Sequence, residues 1–303
     1  MRFVIAGGRG FLGHALARSL RDSDHEVTIL TRRRTPRANE VHWDGINVGP
    51  WARALSSADA LINASGFGLE HWPWSTKTRG LFYSSRVLPG RALAAAAAQV
   101  VRAPRVLIQF SGVNRYGMVG EPAADEFTPA ASDFLARLTL DWESSTEPVE
   151  ELGIRRVIVR NAIVLAASGG LFPLMSLPSR LFVGGRLGDG AQMVPWIHLA
   201  DQIRAVRCLL DDASAHGAYN LVAPARTCNS EFMSTVCRVG RRPYWLHMPA
   251  LLLRLALGDM ADLVLQGRAC TPKRLLETGF QFEFPRIEDA VQEIFSARHT
   301  EVI

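Results

Sequence analysis

Short apolar runs and helical stretches take turns along this chain. Residues 3–6, 26–30, 58–66, 105–112 and 155–165 form runs of strand length. Between them apolar residues recur at three- and four-residue steps, as at Leu12, Ala15, Leu16 and Leu20. An Ala-rich stretch over residues 75–101 and the segment 130–152 continue the helical pattern. Strand alternating with helix predicts an α/β fold with a parallel, doubly wound sheet. After Leu165 the texture changes, and the Gly- and Pro-rich residues 166–190 predict irregular structure. "WIHLADQIRAVRCLL" returns to a helical pattern, and from Thr227 a small, mostly helical part is expected.

The first strand runs into "AGGRGFLG", where Gly7, Gly10 and Gly13 follow at three-residue steps and Phe11 and Leu12 open the helix. Strand, glycine turn and helix is the context of a Rossmann dinucleotide site. Gly7 permits the tight turn, Gly10 lets backbone approach a pyrophosphate, and Gly13 lets helix and strand pack closely. The free N–H groups at the helix start then face the phosphates. The second strand ends at Thr31 and Arg32, where an NAD site would carry a carboxylate for the ribose hydroxyls. A guanidinium there pairs with a 2′-phosphate, so NADP(H) is expected over NAD(H). The third run ends in the small residues Ala64, Ser65 and Gly66, which would let a flat cofactor lie against backbone.

This organisation predicts an NADP-binding domain over residues 1–165, with 191–226 returning to it. Residues 166–190 and 227–303 are the expected substrate-side lid and C-terminal domain. Open α/β sheets bind ligands outside the carboxyl ends of their strands, so residues 227–295 are expected there, closing a cleft with the loop 169–190.

Composition narrows the setting. With 48% hydrophobic and 21% charged residues, the 303-residue chain has an ordinary soluble balance. The run at residues 248–258 is interrupted by Arg254, falls short of the ~18 residues a membrane span needs, and reads as an amphipathic helix. No signal peptide is expected ahead of the first strand. Cys208, Cys228, Cys237 and Cys270 have neither zinc nor disulfide spacing, which suits a reducing cytoplasm, and no metal is expected. The net charge is +5, but outside Arg32–Arg34 and Arg37 the basic residues are dispersed, so no nucleic-acid partner is expected.

Several segments in order resemble the extended short-chain dehydrogenase/reductases. The match is nearest to their atypical branch, the NAD(P)-binding "epimerase family protein" or epimerase/dehydratase-like group. The segments are "AGGRGFLG", "HEVTILTR", "LINASG", "SSR" at residues 84–86, "DFLARLTLDWE", "VRNAIVLAASGG", "GGRLGDGAQMVPWIH" and "TPKRLLETGFQFEFP". The resemblance implies a Rossmann domain with a small C-terminal substrate-side domain, and NADP(H) lined by Ala64, Ser65, Arg86 and the backbone near Val164.

It also exposes a gap. The superfamily's proton-transferring tyrosine and its lysine, four residues apart, would fall on Leu135 and Thr139 when "DFLARLTLDWE" is aligned by Glu143. Neither moves a proton in that role. Lys77 and Lys273 are the only lysines, and neither follows a tyrosine by four. What remains is Ser111, at the place of the superfamily's serine, and Tyr116 in the loop after it; Tyr116 could equally be a packing tyrosine. Arg115 and Asn161 depart from the branch beside the expected nicotinamide end. "HWPW" at residues 71–74 reads as a lid or a hydrophobic plug, His198 as structural, Asp201 as a helix-start cap, and Asp125 and Glu126 as solvated. Two functions stay open: an NADP(H)-dependent oxidoreductase or epimerase-like enzyme for a small carbonyl or alcohol, with Ser111 and Tyr116 catalytic, and a non-catalytic NADP(H)-binding sensor or scaffold. The substrate and the oligomeric state stay open.

Overall fold

The computed structural model describes residues 1–119 and 122–300. In chain order the first half comprises β1 (Arg2–Ala6), α1 (Phe11–Arg21), β2 (Glu26–Thr31), β3 (Glu40–His42), β4 (Ala60–Asn63), α2 (Thr76–Ala97), β5 (Val106–Gly112), α3 (Phe134–Ser144) and β6 (Arg155–Asn161). Then come β7 (Ile163–Leu165), α4 (Phe172–Met175), α5 (Leu177–Arg180), β8 (Gly184–Leu187), β9 (Trp196–His198), α6 (Leu199–Asp211) and β10 (Gly217–Leu221). The chain ends through α7 (Asn229–Val239), β11 (Tyr244–Met248), α8 (Ala250–Leu257), α9 (Asp262–Leu265), α10 (Lys273–Glu277) and α11 (Ile287–Thr300).

Seven strands form one parallel sheet in the order β10-β6-β5-β4-β1-β2-β3. Side chains alternate across a strand, and the apolar runs divide accordingly between two layers. Phe3, Ile5, Ile62, Ile108 and Val157 face a core closed by Leu16 and Leu20 of α1 and Val206 and Leu209 of α6. Val4, Ala6, Leu61 and Leu107 face the opposite core, filled by the alanines and Leu93 of α2. Both faces are covered, which is why the strands read as unbroken apolar runs.

The sheet order reverses between β1 and β4. The chain leaves β1 toward β2 and β3, then crosses back to build β4 and β5, so a crevice opens at the carboxyl ends of β1 and β4. The segment after β10 divides: α10 and Phe280 pack beside β10 and into the first core, while other parts build a core of their own. Ala223, two residues beyond β10, joins Leu165, Phe172, Trp196, Phe232 and Val291 in a separate core.

Three local expectations need correction, and one strand was not expected at all. The predicted strand 155–165 breaks at Ala162, whose N–H donates to Leu221 O, and continues as β7 beside β9. Residues 166–190, expected to be irregular, hold two short helices and β8, which pairs in parallel with β11. The helix expected over 130–152 begins at Phe134, where Asp133 caps it, and stops at Ser144. The basic stretch after β2 leads into a three-residue edge strand, β3, with too little apolar content to announce itself. Among the described residues no helix is long and apolar enough to cross a membrane.

Candidate functional site: a dinucleotide crevice and a buried arginine–glutamate network

The crevice is built from backbone contacts that exclude side chains. Gly7 takes φ +78°, and a Cβ there would overlap the Ala64 carbonyl. A Cβ on Gly13 would overlap the Gly7 carbonyl oxygen and lie 2.9 Å from Gly8 Cα. The turn after β1 thus rides on the exit of β4 and seats α1 against itself. Gly10 has only the Gly7 oxygen near, so its other side is open. It starts α1 without a side-chain cap and with no acidic residue in the first turn, which leaves the N–H groups of Phe11, Leu12 and Gly13 outside the helical ladder. This cradle fits a pyrophosphate. The Phe11 ring packs where Gly169 and Gly170 pass, and Gly170 also lies against the Val164 carbonyl, so these predicted residues meet across the crevice.

Helix α1 also supplies a test whose sign is informative. Ala in place of Gly inside a helix ordinarily gains about 1 kcal/mol. Gly13→Ala is expected instead to destabilise by about 1–3 kcal/mol, as overpacking does, and to weaken nucleotide binding. Urea unfolding beside NADPH titration checks this; a more stable variant that binds normally would show that the approach of α1 to the turn is not needed.

At the β4 end Ser65 is buried and its Oγ has no hydrogen-bond partner, an orphaned polar group just past the strand. Gly66 lies against the Arg86 guanidinium. Arg86 is 8% exposed, donates to the Phe67 and Phe82 carbonyls at 2.8 and 3.2 Å, and stacks over Trp142. Burial pushes its guanidinium down to about 10, still a cation at neutral pH. It therefore keeps a positive charge beneath the β4 exit.

At the other rim Thr31 is buried, and its Oγ1 accepts the Arg33 N–H, so it shapes the turn that presents exposed Arg32. Arg9, which sequence reasoning passed over, lies inside the glycine motif itself. Its guanidinium meets Glu40 of β3 at 3.2 Å and brings a second cation toward this rim.

The carboxyl ends of β5 and β6 carry a second constellation. Glu143 of α3 accepts Ser111 Oγ–H at 2.7 Å and Arg160 Nε–H at 2.8 Å on one oxygen. Its other oxygen accepts Arg160 Nη2 at 3.0 Å and lies 3.2 Å from Arg115 Nη1. Arg160 Nη1 donates to the Tyr116 hydroxyl at 2.8 Å, and that hydroxyl donates to Asn220 Oδ1 at 2.7 Å. Asn220 in turn donates its side chain to the Thr271 carbonyl and its backbone N–H to Glu126.

This network corrects the reading of Tyr116. Its ring is fully buried and its hydroxyl is engaged as both donor and acceptor. Burial pushes the phenol up to about 12, against the pull of Arg160. Tyr116 is a core tyrosine and does not reach the crevice. Ser111 is also buried, with its proton committed to Glu143. Glu126, expected to be solvated, is 8% exposed; burial raises its carboxyl, and one oxygen has no partner. Leu135 and Thr139 are buried, and the Thr139 hydroxyl donates to Leu135 O. The partly exposed polar groups here are Asn114, Asn161, whose Oδ1 accepts a Gln202 N–H, and Arg115, whose Nε has no hydrogen-bond partner.

The remaining candidates settle as structure. His198 meets Glu293 at 2.9 Å and the Phe284 ring, and its Nδ1 accepts the Ala200 N–H. Asp201 accepts the Glu283 and Phe284 N–H groups. In "HWPW" the two tryptophans divide the roles: Trp74 packs on Phe82 and Phe134, whereas exposed Trp72 donates to Leu257 O across the molecule.

Comparison with known proteins places the chain among relatives of the same fold. Residues 3–222 match the model of the NAD dependent epimerase/dehydratase family, and residues 248–294 match a domain of unknown function, DUF1731. Epimerase family protein Mb2239 of Mycobacterium bovis is 35% identical over 95% of this chain and 95% of its own length. Epimerase family protein YfhF of Bacillus subtilis is 33% identical over 99% of this chain and all of its own length. The crystal structure of human epimerase family protein SDR39U1 with NADPH superposes at a TM-score of 0.90, with 31% identity over 98% of this chain and 99% of that one.

Proposed function

Given that this chain belongs to the NAD dependent epimerase/dehydratase family, we propose that it is an NADP(H)-dependent oxidoreductase for a small carbonyl substrate, working without a tyrosine–lysine pair. The observation that carries the reading is the pairing of two features at the sheet's carboxyl ends. The glycine cradle opens at β1, and Arg115 stands partly exposed just after β5, two strands away. Two strand spacings are about 10 Å, so one extended dinucleotide can lie on the cradle and reach toward β5.

Bound NADPH would supply a hydride to the carbonyl carbon, the C=O electron pair passing to oxygen. Arg115 donates an N–H to that oxygen as its charge grows, a role that gains strength where water is excluded. Glu143 holds Arg115, and Ser111 with Arg160 holds Glu143, so Ser111 is a positioning residue. The proton for the alkoxide comes from water, because Leu135 and Thr139 offer no acid.

The NADP(H) preference rests on Arg32, exposed just past the end of β2 with no carboxylate at that strand end. The human relative solved with NADPH supports it. Arg32→Ala should weaken NADPH binding by about 1.5–3 kcal/mol, the scale of a hydrogen bond to a charged group, and leave NADH binding unchanged. Nucleotide fluorescence titration reads both. Equal affinity of the wild type for NADH and NADPH would sink the preference.

One observation favours a second reading: the hydroxyls of Ser111 and Tyr116 are both consumed inside the protein. A non-catalytic NADP(H)-binding sensor or scaffold needs neither. Single-turnover NADPH oxidation with a panel of aldehydes and ketones separates the two. Oxidation of bound NADPH by any of them supports the enzyme; tight NADPH binding with no oxidation supports the sensor.

A further inference from the structure

The two-stranded sheet of β8 and β11 has two unlike faces. In β8 the side chains alternate, so Gly184 and Arg186 face one way and Gly185 and Leu187 the other. The first face is closed at Gly184, where a Cβ would overlap Cys237 Sγ of α7, and reaches solvent at Arg186. On the second face Leu246 pairs with Gly185 and Met248 with Leu187. Helices α5 and α8 cover this face through Leu177, Leu181 and Leu253, but they do not close onto it. A cavity of about 190 Å³ remains between the sheet and the helices, lined wholly by Leu, Val, Met, Pro and Gly.

No lining side chain can donate or accept a hydrogen bond or carry charge. Water is poorly held against such walls, and the space is open on one side, where Leu177, Leu181 and Val183 meet solvent. The rim continues the same character, with Leu181, Phe182, Trp245 and Leu251 each more than half exposed. The Trp245 indole reaches across this rim to donate to the Phe182 carbonyl, which ties the start of β11 to the turn before β8.

We propose that this cavity is a binding site for a neutral aliphatic chain, as an alkyl or acyl group. A polar or phosphorylated group would enter unpaired, which is costly. A cavity of about 150 Å³ takes benzene, so this one takes about eight carbons. The site is separate from the dinucleotide cradle, and the binding proposal stands whether or not the redox reading does.

The test is calorimetric titration of the full chain with straight-chain primary alcohols from butanol to dodecanol. Affinity is expected to rise about fourfold per methylene and to level off near octanol. Leu253→Asp, on the partly exposed wall from α8, should lower octanol affinity at least about tenfold, while Leu253→Met retains it. Thermal unfolding of both variants checks that they fold; if Leu253→Asp does not, Leu181→Arg on the opposite wall takes its place. Octanal and butanal compared as NADPH oxidants then identify the source. A preference for octanal that Leu253→Asp removes makes the chain part of the substrate; alcohol binding without that preference makes it a separate ligand. Three outcomes overturn the proposal. One is no saturable octanol binding. Another is affinity that climbs through dodecanol and ignores Leu253→Asp, which means partition onto exposed leucines. The third is light scattering that shows a dimer broken by Leu253→Asp, which makes the face an interface between copies.

Discussion

Arg160→Met is expected to cost about 3–5 kcal/mol of unfolding free energy, the range for breaking a buried ion pair by removing one partner. The substitution takes two hydrogen bonds from Glu143 and one from Tyr116 while leaving the carboxylate 6% exposed. Arg115 cannot replace the lost cation, because it meets one Glu143 oxygen at 3.2 Å from the partly exposed side. Removing both charges should cost less than removing one, since a buried pair often exchanges for apolar side chains at little net cost. Arg160→Met with Glu143→Leu should therefore recover at least half of the loss. Urea unfolding followed by circular dichroism measures each. A single substitution costing under about 1 kcal/mol would place this pair with surface salt bridges and contradict the burial described above.

Arg115→Leu is expected to lower single-turnover NADPH oxidation by about 10²–10³-fold, the usual effect of removing one donor to a developing oxyanion. NADPH affinity should not change, because Arg115 stands at β5 and the cradle at β1. Arg115→Lys should restore part of the rate, keeping the charge without the planar fork. Ser111→Ala should reduce turnover less than Arg115→Leu, since Ser111 acts through Glu143. If Arg115→Leu turns over at the wild-type rate, another group stabilises the oxygen and the assignment falls.

Much of the fold was legible because its signals are local. The apolar runs of β1, β4 and β5 are buried on both faces, so burial wrote itself into consecutive residues. The cradle was legible for the same reason: Gly7, Gly10 and Gly13 act on backbone within one turn of chain. The partners of Ser111 and Tyr116 were not legible because a hydroxyl's orientation depends on residues far away in sequence. Tyr116 meets Asn220 across 104 positions, and Ser111 meets Glu143 across 32. Glu143 was in view as the marker that aligned the missing pair, yet nothing near it announces Arg160. β8 escaped notice because a strand beginning with two glycines has no apolar period to read, and its partner β11 lies some sixty residues on. Arg9 was concealed by its setting, a variable position between motif glycines.

The polar chain from Ser111 through Glu143, Arg160, Tyr116 and Asn220 to the Thr271 carbonyl does more than fill space between strands. Arg268 adds bonds to the Tyr116 and Pro122 carbonyls, and Arg274 reaches the Ala218 carbonyl of the edge strand β10. These bonds fasten the last part of the chain to the edge strand β10 and to the loop after β5. The sheet and the C-terminal segment are therefore expected to unfold together as one cooperative unit. A single sigmoidal transition, coincident by tryptophan fluorescence and circular dichroism, is the signature of that coupling, and limited proteolysis should find no clip that releases a stable sheet without its C-terminal part.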